Sequence, residues 1–282
     1  MNDRRRLRRP SAVCSIQVGD LKVSYVPDGA MLLKPSAPFP PATTLHDTEY
    51  GAHLNDTAHL VANTGGLLVQ DGPRSLLIDA GFGPRSAPED PAHPYIGAIH
   101  GGSLLDNLAK LGPRPDEIDV VAFTHLHADH IGWACKEPPV FTRATFAVPK
   151  SEWENRHDLP PGAEATLEAR MHLVTPGEEV FPGVQALALP GHTEGHTGFA
   201  ITSRGERLLA FGDALHSPLQ VRHPEWFTVP DTDPSQSERH RRRLIAELQR
   251  PDTRGFGIHF ADVVFGRVVP DPQGEGADWH PV

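Results

Sequence analysis

Cysteine is scarce in this chain: Cys14 and Cys135 are the two among 282 residues. So few thiols exclude a disulfide framework, and without a CxxC pair there is no thiolate zinc site. A metal, if held, is expected on nitrogen and oxygen donors. Positive charge is also short, with 26 Lys and Arg against 36 Asp and Glu, a formal net charge of −10. That balance excludes the basic face of a phosphate-backbone binder, so no nucleic-acid partner is expected. The basic runs at 1–10 and 238–243 read as solvated faces or frayed ends. No stretch approaches the ~18 apolar residues of a membrane span, so no membrane partner is expected. SAVCSIQVGD, after the arginines at 4–9, is too short and polar for the core of a secretion signal. The expected location is the cytoplasm. No internal repeat of ~20–50 residues is present.

What is there alternates strands with helices. IQVGDLKVSYVPDG (16–29) reads as strands ending in a turn, and 66–70 and 75–79 as a hairpin across DGPR. SLLDNLAKLG (103–112) has its leucines at helical spacing, and IDVVAFT (118–124) is an apolar run, hence a buried strand. The second half repeats the pattern. Strands are expected at 145–149, 198–203, 207–213 and 254–260, and 184–193 reads as a strand ending in a loop, with helices at SEWENR and at DPSQSERHRRRLIAELQR (233–250). The Pro-, His- and Thr-rich stretch 35–62 reads as a long binding loop, lid or dimerisation arm, so a homodimer stays open. Residues 1–15 read as a flexible segment, 16–270 as one domain and 271–282 as a tail. Hairpin-linked strands with helices between them imply two sheets packed face to face with helical outer layers.

The polar residues of interest stand at strand ends. THLHADH (124–130) leaves the buried strand 118–124 directly. In an extended segment residues two apart point the same way, so His125 and His127 can share one ion. The chain then bends, and Asp129 and His130 can address a second point. Catalytic zinc takes about three protein ligands and keeps a position open, so two ions need more donors than this segment holds. His192 in PGHTEGHTG, Asp213 in AFGDALH and His259 in GIHFAD supply them. His192 completes one site, His259 the other, and the Asp213 carboxylate can reach both. The donor set suits Zn2+, and also accepts Mn2+, Fe2+ or Co2+.

From LLIDAGFG through THLHADH, PGHTEGHTG and GD to His259, the chain resembles the metallo-β-lactamase-fold hydrolase superfamily. The resemblance implies an α/β fold, a four-layer αββα sandwich of two mainly antiparallel sheets with outer helices. It carries the metal ligands over to His125, His127, Asp129, His130, His192, Asp213 and His259. It makes Asp79 a group that orients the site, and His196 structural. Two zinc ions per chain are implied, with a bridging hydroxide that opens a lactone or cleaves an ester. Asp129 is expected to carry the proton to the leaving group. The acyl-homoserine-lactone lactonases of the superfamily have a tyrosine three residues after the bridging aspartate. Here that position is His216, which can also donate to an oxyanion and is taken as catalytic. GDxxH and the late HF look closer to methyl-parathion-hydrolase-like members, so a phosphotriesterase or arylesterase is the alternative. A glyoxalase-II-like thioesterase, a mono-iron sulfur dioxygenase and a binding module with a vestigial site rank lower. The complete second ligand set argues against the last two. Trp133, Phe141, Trp226, Phe227, Phe260 and the 35–62 loop are the candidate pocket walls, favouring a small-molecule substrate with an apolar acyl or aryl group.

Overall fold

Alternation along the strands decides the layering. In Leu60–Asp71, Leu67 and Val69 join one hydrophobic cluster while Leu68 joins another. In Arg74–Ile78, Leu76 and Ile78 go one way and Leu77 the other. A sheet buried on both faces results. The structure, a computed structural model, describes residues 3–34, 39, 48–157, 159–272 and 276–282.

Among the described residues the first sheet has nine strands. Its order is Ser86–Ala87, Ile96–His100, Leu21–Leu33, Leu60–Asp71, Arg74–Ile78, Val120–Ala122, Thr145–Pro149 and Met171–Val174, with Cys14–Val18 paired to Leu21–Leu33. The second has seven: Glu179–Phe181, Val184–Ala188, Thr197–Ser203, Glu206–Ala210, Thr253–Phe256, Phe265–Pro270 and Ala277–Pro281. Most pairings are antiparallel. The parallel ones join Arg74–Ile78 through Val120–Ala122 and Thr145–Pro149 to Met171–Val174, and Glu206–Ala210 to Thr253–Phe256.

Val23, Tyr25, Leu67 and Leu76 of the first sheet meet Phe199, Ile201, Leu208 and Phe256 of the second in the central core. Outside the first sheet, Leu104 and Leu108 of helix Leu104–Leu111 and Trp153 of Lys150–Glu154 cover Leu77, Val121 and Phe146. Outside the second, Leu244, Ile245 and Leu248 of Pro234–Leu248 cover Ala200, Leu209 and Val268. This helix starts where expected: the Asp233 side chain caps the Gln236 N–H at 2.8 Å, ahead of Pro234 at the first turn. The αββα sandwich is thus present.

Several boundaries differ from the sequence reading. The expected long loop 35–62 contains helix Thr48–His53 and the start of strand Leu60–Asp71; residues 35–38 and 40–47 lie outside the described residues. The expected tail contains Ala277–Pro281, paired antiparallel with Phe265–Pro270. It is held because the Trp279 ring lies over Gly255 and Gly266, where an added Cβ would come within 2.8 and 2.4 Å of the ring, and its indole N–H donates to the Val263 carbonyl at 2.8 Å. The expected flexible start contains helix Asp3–Arg6 and the first residues of strand Cys14–Val18. The strand expected within 184–193 ends at Ala188 and gives way to a loop that holds His192, as read, whereas the expected strand 254–260 stops at Phe256 and leaves His259 in the loop that follows. No described helix is long and apolar enough to cross a membrane.

Candidate metal centre

Loops at one end of the sandwich carry all seven expected ligands to one place. THLHADH leaves Val120–Ala122 and turns at once into the short helix Ala128–Ile131. Glu152 ties this loop to the His192 loop: its carboxylate accepts the Leu126 N–H at 3.0 Å and the Thr193 hydroxyl at 2.6 Å. Backbones pack so tightly here that a Cβ on Gly195 would fall 1.9 Å from the Glu152 nitrogen.

The seven residues sort into two groups. His125, His127, His192 and Asp213 bring one candidate donor atom each within 4.8 Å of one another, as do Asp129, His130 and His259. Asp213 stands between them. Its Oδ2 lies 3.3 Å from His192 Nε2 and 3.8 Å from His125 Nε2, while its Oδ1 lies 3.2 Å from His130 Nε2 and 3.1 Å from His259 Nε2. Asp129 Oδ2 faces His130 Nε2 at 3.4 Å and His259 Nε2 at 3.8 Å.

The far sides of the rings fix what the near sides offer. His130 Nδ1 donates to Asp79 Oδ2 at 3.0 Å, His192 Nδ1 to Asp231 Oδ1 at 2.9 Å, and His259 Nδ1 to the Asn63 carbonyl at 2.7 Å. In its neutral form each ring therefore turns a bare Nε2 lone pair toward the centre. These lone pairs face carboxylate oxygens, and His125 Nε2 faces His127 Nδ1 at 2.8 Å. Such lone pairs repel one another unless a proton or a metal cation lies between them, and both positions can exchange the one for the other. Buried atoms without a hydrogen-bond partner gather at the same point: His130 Nε2, His259 Nε2, Asp213 Oδ1 and His216 Nδ1. The donor set fits divalent ions.

The carboxylates make this point favourable for positive charge, carried by ring protons where no metal is bound. Burial opposes charge on His130, but the carboxylates of Asp213, Asp129 and Asp79 overrule it and raise its pKa. Burial likewise opposes charge on Asp213, and the neighbouring His259, His130 and His216 hold its pKa well down. Burial and then His192 push His127 down to about 4, so its ring is neutral and able to accept an ion at neutral pH.

Asp79 stands behind His130, where the resemblance puts an orienting group. Its Oδ1 accepts the Thr124 N–H at 2.8 Å and its Oδ2 the Thr124 hydroxyl at 2.9 Å, beside the bond from His130. It sits at φ 62°, a left-handed conformation that costs an L-residue roughly 1 kcal/mol and that these bonds offset. His196 is structural: Nδ1 donates to the Leu189 carbonyl at 3.0 Å and Nε2 accepts the Asp213 N–H at 2.9 Å. His216 stands at the centre, with Nε2 3.1 Å from Asp213 Oδ2 and its ring stacked on His259. Asp231, Asn63, Thr124 and Glu152 were missed. Asp231 lies two residues before the cap Asp233 in VPDTDP, where a second acid was the available signal.

A cavity of about 340 Å3 opens onto Asp129, His216 and His259. Its walls correct the sequence reading. Met31, Tyr95, Ile96, Ile99 and Val229 line it, and from the 35–62 stretch Ala62 does. Trp133 and Phe141 are core, with the Trp133 indole donating to Asp28 at 2.7 Å. Trp226 packs on Phe39 and Tyr50, Phe260 on Phe211, and Phe227 does not line the cavity.

Residues 66–253 match the metallo-beta-lactamase superfamily. The chain belongs to that superfamily. It is an enzyme, a metal-dependent hydrolase. An N-acyl homoserine lactonase of Bacillus thuringiensis is 27% identical over 198 residues, covering 66% of this chain and 76% of the relative. A metallo-beta-lactamase domain-containing protein 1 of Xenopus laevis is 31% identical over 133 residues, 46% of this chain and 47% of that one. Among solved structures, a dizinc quorum-quenching lactonase with bound product superposes with a TM-score of 0.79 at 21% identity, covering 96% of this chain and 98% of that one. The hydrolase AbOPH superposes at 0.78 and 23%, covering 98% and 99%. Both likenesses are of fold.

Proposed function

We propose that this superfamily member opens lactones or cleaves esters of small molecules with an apolar acyl or aryl group, at a dinuclear zinc centre. The observation that carries the reading is Asp213, whose two oxygens face two separate ligand groups at the floor of one cavity. His125, His127 and His192 would hold one ion and Asp129, His130 and His259 the other, with Asp213 within reach of both groups. When bound, the ion pair supplies an acidified water as nucleophile and a Lewis acid for the carbonyl.

The chain's own residues do the rest. Asp129 borders the cavity, where it would take the proton given up by the attacking water and pass it to the departing alkoxide. His216 directs Nε2 at the same floor, where its N–H serves Asp213 or a substrate oxygen. Met31, Ile96, Ile99 and Val229 form an apolar wall for the acyl group and exclude water from it. The lactonase activity in the relatives' names supports an acyl lactone as the first substrate.

The test is turnover on zinc-reconstituted protein with acyl lactones, aryl esters, phosphotriesters, a glutathione thioester and a β-lactam, beside metal analysis. Two zinc per chain with lactone or ester turnover is expected. Turnover confined to phosphotriesters or to the thioester would reject the substrate class.

A further inference from the structure

The N-terminal basic run lies across the loop that carries His259. Arg6 Nε donates to the Asp262 carbonyl at 2.8 Å, and the Asp262 N–H donates back to the Arg6 carbonyl at 3.1 Å. Arg9 clamps the Asp262 carboxylate through Nε and Nη2, at 2.9 and 2.7 Å. Arg8 donates to the carbonyls of Ala52 and Gly51 at 3.0 and 3.2 Å, and Leu7 packs on the core outside the second sheet. The segment is thus bound along its length.

Its far end reaches the centre through one side chain. The Ser11 N–H donates to Asn63 Oδ1 at 3.1 Å. Asn63 is fully buried, its Nδ2 donates to the Ala261 carbonyl, and its own carbonyl takes the His259 Nδ1–H at 2.7 Å. Between these anchors Ala261 is held at φ 41°, in the left-handed region that a residue with a Cβ avoids at a cost of roughly 1 kcal/mol. A strained residue two places from a candidate ligand persists only if its surroundings hold it. Asn63 holds it on one side, and the Arg6–Asp262–Arg9 contacts hold it on the other.

We propose that residues Arg6–Ser11 are a positioning strap for the metal centre. They fix loop 257–264 so that His259 Nε2 points at Asp129 and Asp213. Arg6, Arg9 and Asp262 are therefore positioning residues for one ion, that of Asp129, His130 and His259, and not for its neighbour. An exposed ion pair alone is worth little. The effect comes from the two-way backbone bond and the clamp acting on a strained turn. The inference rests on the dinuclear reading above.

The test is zinc affinity, measured by chelator competition, in the full chain. Wild type is expected to release two zinc ions in two steps. In R6A/R9A one step weakens by about tenfold or more, within the range for partners of metal ligands, and the other step is unchanged. R6K/R9K restores part of the loss. Combined with His259→Ala, R6A/R9A adds no further loss, because both act on one ion. Asp262→Asn keeps shape and backbone bonds, and reads the same step if R6A/R9A does not fold. Two zinc ions bound by each folded variant with wild-type affinities would overturn the strap. Fewer than two in wild type itself would instead overturn the dinuclear reading, and the strap with it.

Discussion

His192 Nδ1 donates to Asp231 Oδ1 at 2.9 Å, and both side chains are sealed from solvent. The same carboxylate meets Arg241 Nη2 at 3.4 Å, and that guanidinium is also fully buried. Arg241 donates in turn to Ser237 Oγ and to the carbonyls of Ala214, Pro224 and Trp226. Helix Pro234–Leu248 is thereby connected to a candidate ligand through one acid.

Asp231→Ala is expected to cost about 3–5 kcal/mol of stability, because it strands a buried arginine. Asp231→Asn keeps the shape but lowers the basicity of the His192 ring and its fixed tautomer. Its zinc affinity is expected to fall about 10- to 100-fold at one ion. Chemical denaturation and chelator competition on the two variants separate the effects. Wild-type zinc affinity in the Asn variant would show that the contact only stabilises the fold.

Asp213→Asn removes the charge that both ligand groups share, while the backbone bond from its N–H to His196 remains. Turnover is expected to drop at least ~100-fold, with zinc content reduced and far-UV circular dichroism unchanged. A folded Asp213→Asn protein with full zinc and wild-type turnover would reject the shared carboxylate.

The candidate ligands were legible because each sits in a short motif at a strand end, where spacing and residue type speak together. THLHADH follows a strand, His192 and Asp213 follow the strands before them, and His259 lies three residues past Phe256. Their partners were not legible. Asp231 acts on a ring 39 residues away from a turn without periodicity, and Asn63 links Ser11 to Ala261 through bonds that no local pattern encodes. Aromatic content misled on the walls, because a ring's composition does not say which way it faces. Trp133 turns inward to satisfy its N–H on Asp28, while the true wall comes partly from Ile96–His100, a strand with weak alternation. The basic N-terminal run read as solvated because charge alone does not reveal carbonyls waiting opposite.

Gly195→Ala tests how closely the two ligand loops are packed. The added Cβ would meet the Glu152 nitrogen at 1.9 Å and its Cα at 2.3 Å, both backbone atoms that cannot rotate away. The loop must move, and it takes the Thr193–Glu152 bond and His192 with it. A loss of about 1–3 kcal/mol is expected from thermal or denaturant melts, with weaker zinc retention. An unchanged midpoint would mean that the loop has slack.

Acid should loosen the metal-free protein in a defined order. Burial, reinforced by Arg8, pushes His53 down to about 4, and burial followed by His192 pushes His196 down to about 3. Unfolded, both return to about 6.5. Between those values the unfolded chain binds more protons than the folded one, so stability falls as pH drops from about 6.5. Asp231 adds a lower window. Burial raises it, but the His192 bond and the nearby His216 and Arg241 charges win and bring it to about 2, so its contribution is lost as pH falls from about 3.9 toward 2. Melting temperature measured with a chelator across this range should therefore decline below pH 6.5 and again below pH 4. His53→Gln should flatten the first decline by about one proton. A slope unchanged in that variant would mean that His53 does not titrate with unfolding.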